Sequence, residues 1–174
     1  MRGLAGNVGI SIGNGDSHFV DCIVVDYTIG MDVVKGAASC RLTRCHVWGG
    51  CVPPVTEGGI PEMLVDSINF RIAASDTILT DCYADTGAIG FQIKKNTRLK
   101  GSGYFNNPVF KLDEIVMIDH CAGELSVTEG YFTQCGNVKT TLYRGSGEKL
   151  YWSNCHIKSE TAKLEAPLPV KGTV

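Results

Sequence analysis

Absences narrow the field first. The 174-residue chain has no run of Lys or Arg and a formal net charge of -2, so electrostatics gives no case for a nucleic-acid partner. No apolar stretch approaches the ~20 residues a bilayer span requires, and no membrane segment is expected. The opening Met1-Arg2-Gly3-Leu4-Ala5-Gly6 lacks the apolar region of a signal peptide. No segment of helix length carries a 3.6-residue apolar period. Neither CxxC nor His-x-His occurs, so no metal site is expected, and no cofactor is called for. What the chain does have is 44% hydrophobic residues and 21 glycines, the balance of a globular domain with many turns.

It also has a phrase that keeps returning. Phe19-Val20-Asp21-Cys22-Ile23-Val24 is followed by Leu42-Thr43-Arg44-Cys45-His46-Val47, Leu79-Thr80-Asp81-Cys82-Tyr83-Ala84 and Trp152-Ser153-Asn154-Cys155-His156-Ile157. Ser102-Gly103-Tyr104-Phe105 and Glu129-Gly130-Tyr131-Phe132 are variants with glycine at the anchor. The anchors Cys22, Cys45, Cys82, Gly103, Gly130 and Cys155 stand 23, 37, 21, 27 and 25 residues apart. The long interval holds a Pro/Gly-rich insertion, 49–63, whose removal restores the common period. A period of this length means stacked structural units.

Around each anchor, the position three before (Phe19, Leu42, Leu79, Val127, Trp152) and the position two after (Val24, Val47, Ala84, Phe105, Phe132, Ile157) are apolar. The switch in spacing between them marks two strands joined by a corner. The corner residues are Asp21, Arg44, Asp81, Ser102, Glu129 and Asn154, most of them types that suit a tight turn. The fourth repeat carries an extra residue, which reads as a glycine bulge. A third strand lies upstream in each unit, as in Gly30-Met31-Asp32-Val33 and Gly90-Phe91-Gln92-Ile93. The expected fold is all-β: a single-stranded right-handed parallel β-helix of about six coils, three short strands per coil. A β-sandwich competes, but it gives no reason for like residues to recur in fixed register. One domain, 1–174, is expected, with coils over 9–158 and a tail, 159–174, folding back over the last coil or a side face.

Eight cysteines would suit a disulfide scaffold. Cys22, Cys45, Cys82 and Cys155 share one register, however, and parallel side chains ~4.8 Å apart do not point at each other as a disulfide requires. They are expected to be reduced and packed; the pattern leaves Cys40, Cys51, Cys121 and Cys135 open.

With its Asp21-Cys22, Asp81-Cys82 and Asn154-Cys155 corners, the chain resembles the pectate-lyase-like superfamily of right-handed parallel β-helices over about residues 9 to 158. The resemblance implies the company of polysaccharide lyases, glycoside hydrolases, epimerases and phage tailspikes, and an extracellular or virion-associated setting for the full-length protein. It also implies a polysaccharide or oligosaccharide partner, bound along the outside of the first strand's sheet. The first coil begins almost at residue 1 with no segment able to cap it. The expectation is therefore a longer protein, of which this is the C-terminal part, or a partner at the open end.

Two outward files are candidates for chemistry. Ser11, Asp32, Arg71 and Gln92, with Lys94 two places on, form the first, beside the insertion carrying Glu57 and Glu62. Asp32 with Glu57 or Glu62 would supply acid/base groups for polysaccharide hydrolysis or lyase cleavage, and Arg71 a contact to a sugar carboxylate. The same file also reads as a solvated face with an Asp32–Arg71 ion pair. Neither Asp-Asp nor Gly-His-Gly occurs, which counts against catalysis by this segment. The second file, Ile23, His46, Tyr83, Tyr104, Tyr131 and His156, would display rings for sugar stacking or bury them in a homo-oligomer, as in a tailspike-like stalk. His46 and His156 in this file have no nucleophile beside them, since Cys45 and Cys155 point inward.

Overall fold

In the computed structural model, which describes residues 7–49, 51–52, 62–63, 65–106, 112–160 and 164–165, the chain winds through three parallel sheets. Sheet A has seven strands: Val8–Ile12, Ile29–Val33, Ile68–Ile72, Ile89–Ile93, Glu114–His120, Lys139–Gly145 and Leu164–Glu165. Sheet B has six, from His18–Val20 through Arg41–Thr43, Thr77–Thr80, Thr97–Lys100 and Glu124–Thr128 to Lys149–Ser153. Sheet C also has six, from Ile23–Tyr27 through His46–Gly49, Tyr83–Asp85, Gly103–Phe105 and Tyr131–Gln134 to His156–Ser159. Each strand pairs with its counterparts one coil before and after, which is a parallel β-helix, right-handed as such crossovers are.

Inward columns make the core. Phe19, Leu42, Leu79, Leu99, Val127 and Trp152 pair in register along sheet B. Leu42, Leu79 and Val127 are fully buried, and each such side chain contributes about 1.5–3 kcal/mol of burial. Phe70 and Phe91 stack inside sheet A with centroids 5.2 Å apart and planes 8° from parallel. At the two ends the columns are only partly covered, by Ile10, Phe19 and Cys22 at one end and Leu150, Trp152 and Ile157 at the other.

The corner between sheets B and C explains the recurring phrase. Asp21, Arg44, Asp81, Glu129 and Asn154 have φ of 56°, 51°, 53°, 57° and 53°, and Gly101 has 60°. A non-glycine residue there costs about 1–2 kcal/mol. The ladder offsets that cost: the N–H groups of Asp21, Arg44, Asp81, Gly101 and Glu129 donate to Thr43, Thr80, Lys100, Thr128 and Ser153 of the next coil. The turn also leaves carbonyls facing inward, and the anchor side chain answers them. Cys45 Sγ donates to Phe19 O at 3.6 Å, Cys82 Sγ to Leu42 O at 3.4 Å, and Ser102 Oγ to Leu79 O at 3.2 Å. The anchor must therefore be small, and where it is cysteine or serine it also supplies a donor, while Gly130 meets only the size requirement.

That column corrects the fourth repeat. Tyr83 pairs with Gly103 and Ala84 with Tyr104, so the anchor is Ser102, the corner is Gly101, and no bulge intervenes. A one-residue slip turns every following side chain to the other face. Tyr104 consequently takes the inward place expected of Phe105 and is completely buried, with its hydroxyl donating to Gly87 O at 2.6 Å. Gly90 makes room for it, because a methyl group there would collide with the Tyr104 ring.

The insertion is based on a short antiparallel ribbon, Cys51–Val52 with Glu62–Met63. Glu57 lies outside the described residues. Within the tail, Leu164–Glu165 pairs in parallel with Lys139–Gly145 and adds a strand to sheet A, and 161–163 and 166–174 lie outside the described residues.

Candidate functional site

Three outward surfaces carry the polar and aromatic groups. On sheet A the expected file is present and longer than the sequence showed: Ser11, Asp32, Arg71, Gln92, Asp119 and Arg144 pair in succession. Arg71 grips Asp32 with both ends of its fork, Nε to Oδ1 at 2.9 Å and Nη2 to Oδ2 at 2.6 Å. The Asp32 side chain is 5% exposed and that of Arg71 30%. Both oxygens of the carboxylate proposed for acid/base work are thus held by a guanidinium. Asp119 is engaged in the same way: Arg144 Nε donates to Oδ1 at 3.0 Å and Gln92 Nε2 to Oδ2 at 3.2 Å. Cys121, the neighbour of Lys94 in the next file, points its thiol at Asp119 Oδ2 from 3.5 Å, and burial followed by that carboxylate pushes the thiol up.

Burial pushes the Asp119 carboxyl up, but the hydrogen bonds from Arg144 and Gln92 outweigh it and hold the group below its ordinary value. A depressed carboxyl stabilises the fold above its unfolded pKa of 3.8 and loses that contribution as pH falls through the lower folded value. Asp119→Asn is therefore expected to lower stability by about 1–3 kcal/mol at pH 7. The gap to the parent should narrow as pH falls through the folded value, because the parent's carboxyl then takes up a proton and is as neutral as the asparagine amide. Thermal unfolding of the pair across pH 2–7 reads this out; a gap that persists undiminished at the acid end contradicts it.

Beside this file, Val65, Ala88, Ile89, Leu112, Glu114 and Arg144 contribute to the lining of a depression of about 330 Å³. Its lining comes from the strands Ile89–Ile93, Glu114–His120 and Lys139–Gly145 and from the segments that lead into them. Glu62 is placed only through its strand in the ribbon. The sequence pattern missed Asp119 and Arg144, although counting the alternation through Glu114–His120 from Ile118 would have found the first.

On sheet C the outward file reads Ile23, His46, Tyr83, Gly103, Tyr131 and His156. Tyr104 is absent from it. The rings fall into two pairs separated by a glycine: His46 and Tyr83, tilted with centroids 5.0 Å apart, and Tyr131 and His156, stacked at 4.8 Å with planes 9° from parallel. Tyr131 is 50% exposed. His46 Nε2 stands 3.6 Å from Asp85 Oδ2, an ion pair only when the ring is protonated. Burial, then Asp85, pushes the Tyr83 phenol up.

On sheet B a polar depression of about 270 Å³ lies over the last three coils, lined by Asp76, Asn96, Arg98, Glu124, Ser126 and Tyr151 among others. No sequence signal singled it out.

Cys45 and Cys82 are buried in the anchor column, and hydrogen bonding with Cys45 together with burial pushes the Cys82 thiol far up. His120 is wholly buried too. Its Nε2 lies 2.8 Å from Gly123 O and must donate, so Nδ1 accepts from the Tyr143 hydroxyl at 2.9 Å. Both nitrogens are occupied. Among the described residues no three His, Cys, Asp or Glu side chains gather as metal ligands. Comparison with protein-family models, curated proteins and solved structures returns no match for this chain.

Proposed function

We propose that this chain is a glycan-recognising β-helical module of the pectate-lyase-like kind, with sheet C as its ring-bearing face. The observation that carries the proposal is the stacked and half-exposed Tyr131–His156 pair beside the bare Gly103. Rings in a parallel ladder cover one another's faces and turn their edges to solvent. Tyr131 gives one face to His156, and its other face looks toward Gly103, where no side chain stands. The next ring on that side, Tyr83, is two strand spacings away, roughly 10 Å. A sugar ring set there presents its C–H face to aromatic carbon. Bond cleavage is not assigned to Asp32, whose oxygens Arg71 already holds.

A structural stalk is the second reading, favoured by the incompletely covered columns at the two ends of the coil stack. Tyr131→Ala separates the two. On a glycan array its retention is expected to fall about 3–10-fold, the worth of one aromatic contact, with molar mass by light scattering unchanged. Unchanged glycan retention together with an altered molar mass would reject recognition by sheet C in favour of the stalk.

A further inference from the structure

We propose a second saccharide subsite on sheet B, where one neutral pyranose ring inserts between Arg98 and Tyr151 over Ser126. It rests on the glycan reading but uses a face that reading leaves idle. The register builds the slot. Arg98, Ser126 and Tyr151 are consecutive members of one outward file on sheet B. Two long side chains therefore flank a short one across two strand spacings, roughly 10 Å between the strands that carry them. That is the room a ring needs when it contacts a flat group on each side. Arg98 is exposed, and Tyr151 is 46% exposed.

The rim selects the ligand. Asp76 and Glu124 border the depression, and Glu124 Oε1 is held by Lys149 Nζ at 2.7 Å, which fixes the carboxylate and leaves its second oxygen for a ligand. Asn96 Oδ1 accepts from the Glu124 N–H at 3.0 Å and ties the rim together across two coils. Carboxylates accept from sugar hydroxyls, and Arg98 and Lys149 balance Asp76 and Glu124, so the rim has no net charge and matches a neutral sugar. The depression, about 270 Å³, is at the small end for ligand sites and suits a single ring.

The test uses the full chain with cellotetraose and maltotetraose, followed by saturation-transfer NMR and titration calorimetry. The parent is expected to bind at least one of them. Tyr151→Ala should weaken that binding about 10-fold, Tyr151→Phe should keep it, and Ser126→Leu, which fills the slot but leaves both walls, should abolish the share it contributes. Circular dichroism confirms that each variant keeps the fold. Full affinity in Ser126→Leu overturns the sheet B subsite; if Tyr131→Ala then removes binding, recognition by sheet C stands without it. No binding of either tetrasaccharide by the parent overturns the subsite as a neutral-sugar site, and the glycan array then decides separately whether sheet C recognises sugars at all.

Discussion

Tyr104→Ala is expected to cost about 3–5 kcal/mol and to lower the midpoint of thermal unfolding by roughly 10 °C. The ring is completely buried in a place that Gly90 keeps open for it, and no neighbour can refill the space without moving the sheet A backbone. Tyr104→Phe keeps the ring but strands the Gly87 carbonyl, at about 1–2 kcal/mol. Tyr131→Ala, on the outer face one coil later, should stay within about 0.5–1 kcal/mol of the parent. Denaturant unfolding of the three variants measures the contrast. Equal losses for Tyr104→Ala and Tyr131→Ala would mean that the two tyrosines share a face.

The second large effect concerns the sheet A file. Arg71→Met is expected to destabilise by about 3 kcal/mol, because it leaves the Asp32 carboxyl with 5% of its side chain exposed and its partner gone. Asp32→Leu combined with Arg71→Met should recover most of that loss, since an apolar pair of similar volume has no uncompensated charge. The cycle of single and double variants gives a coupling of about 2 kcal/mol. Near-additive losses would place the pair among the weak surface bridges, where the exposed Asp21–Arg44 corner pair belongs.

Much of this architecture could be read from the chain because a β-helix writes each structural column as a repeated letter. The inward Leu42–Leu79–Val127 column, the left-handed corner and the buried thiols all follow from spacing and residue type. Coil four was misplaced for a physical reason. Ser102-Gly103-Tyr104-Phe105 imitates Glu129-Gly130-Tyr131-Phe132, but the corner that needs φ near 60° takes Gly101, and the donor that the inward carbonyls need is Ser102 Oγ. Counting three residues on from Leu99 would have reached Ser102 and turned Tyr104 inward. The surface was harder to read. Asp119 follows the run Ile115-Val116-Met117-Ile118, which masks the alternation, and the slot on sheet B depends on the contrast in length among Arg98, Ser126 and Tyr151 across three coils. Pairing across coils separates partners such as Asp32 and Arg71 by 39 residues, one coil period plus the insertion.

The stacking itself is tested most directly by nuclear Overhauser contacts between backbone protons of sheet B in solution. Leu79 should show the staggered Hα-to-amide contacts of parallel strands to Leu42 on one side and to Leu99 on the other, with Thr80 likewise between Thr43 and Lys100. Strong Hα–Hα contacts between sequence-adjacent strands, the mark of antiparallel hairpins, would contradict the coil and every surface built on it.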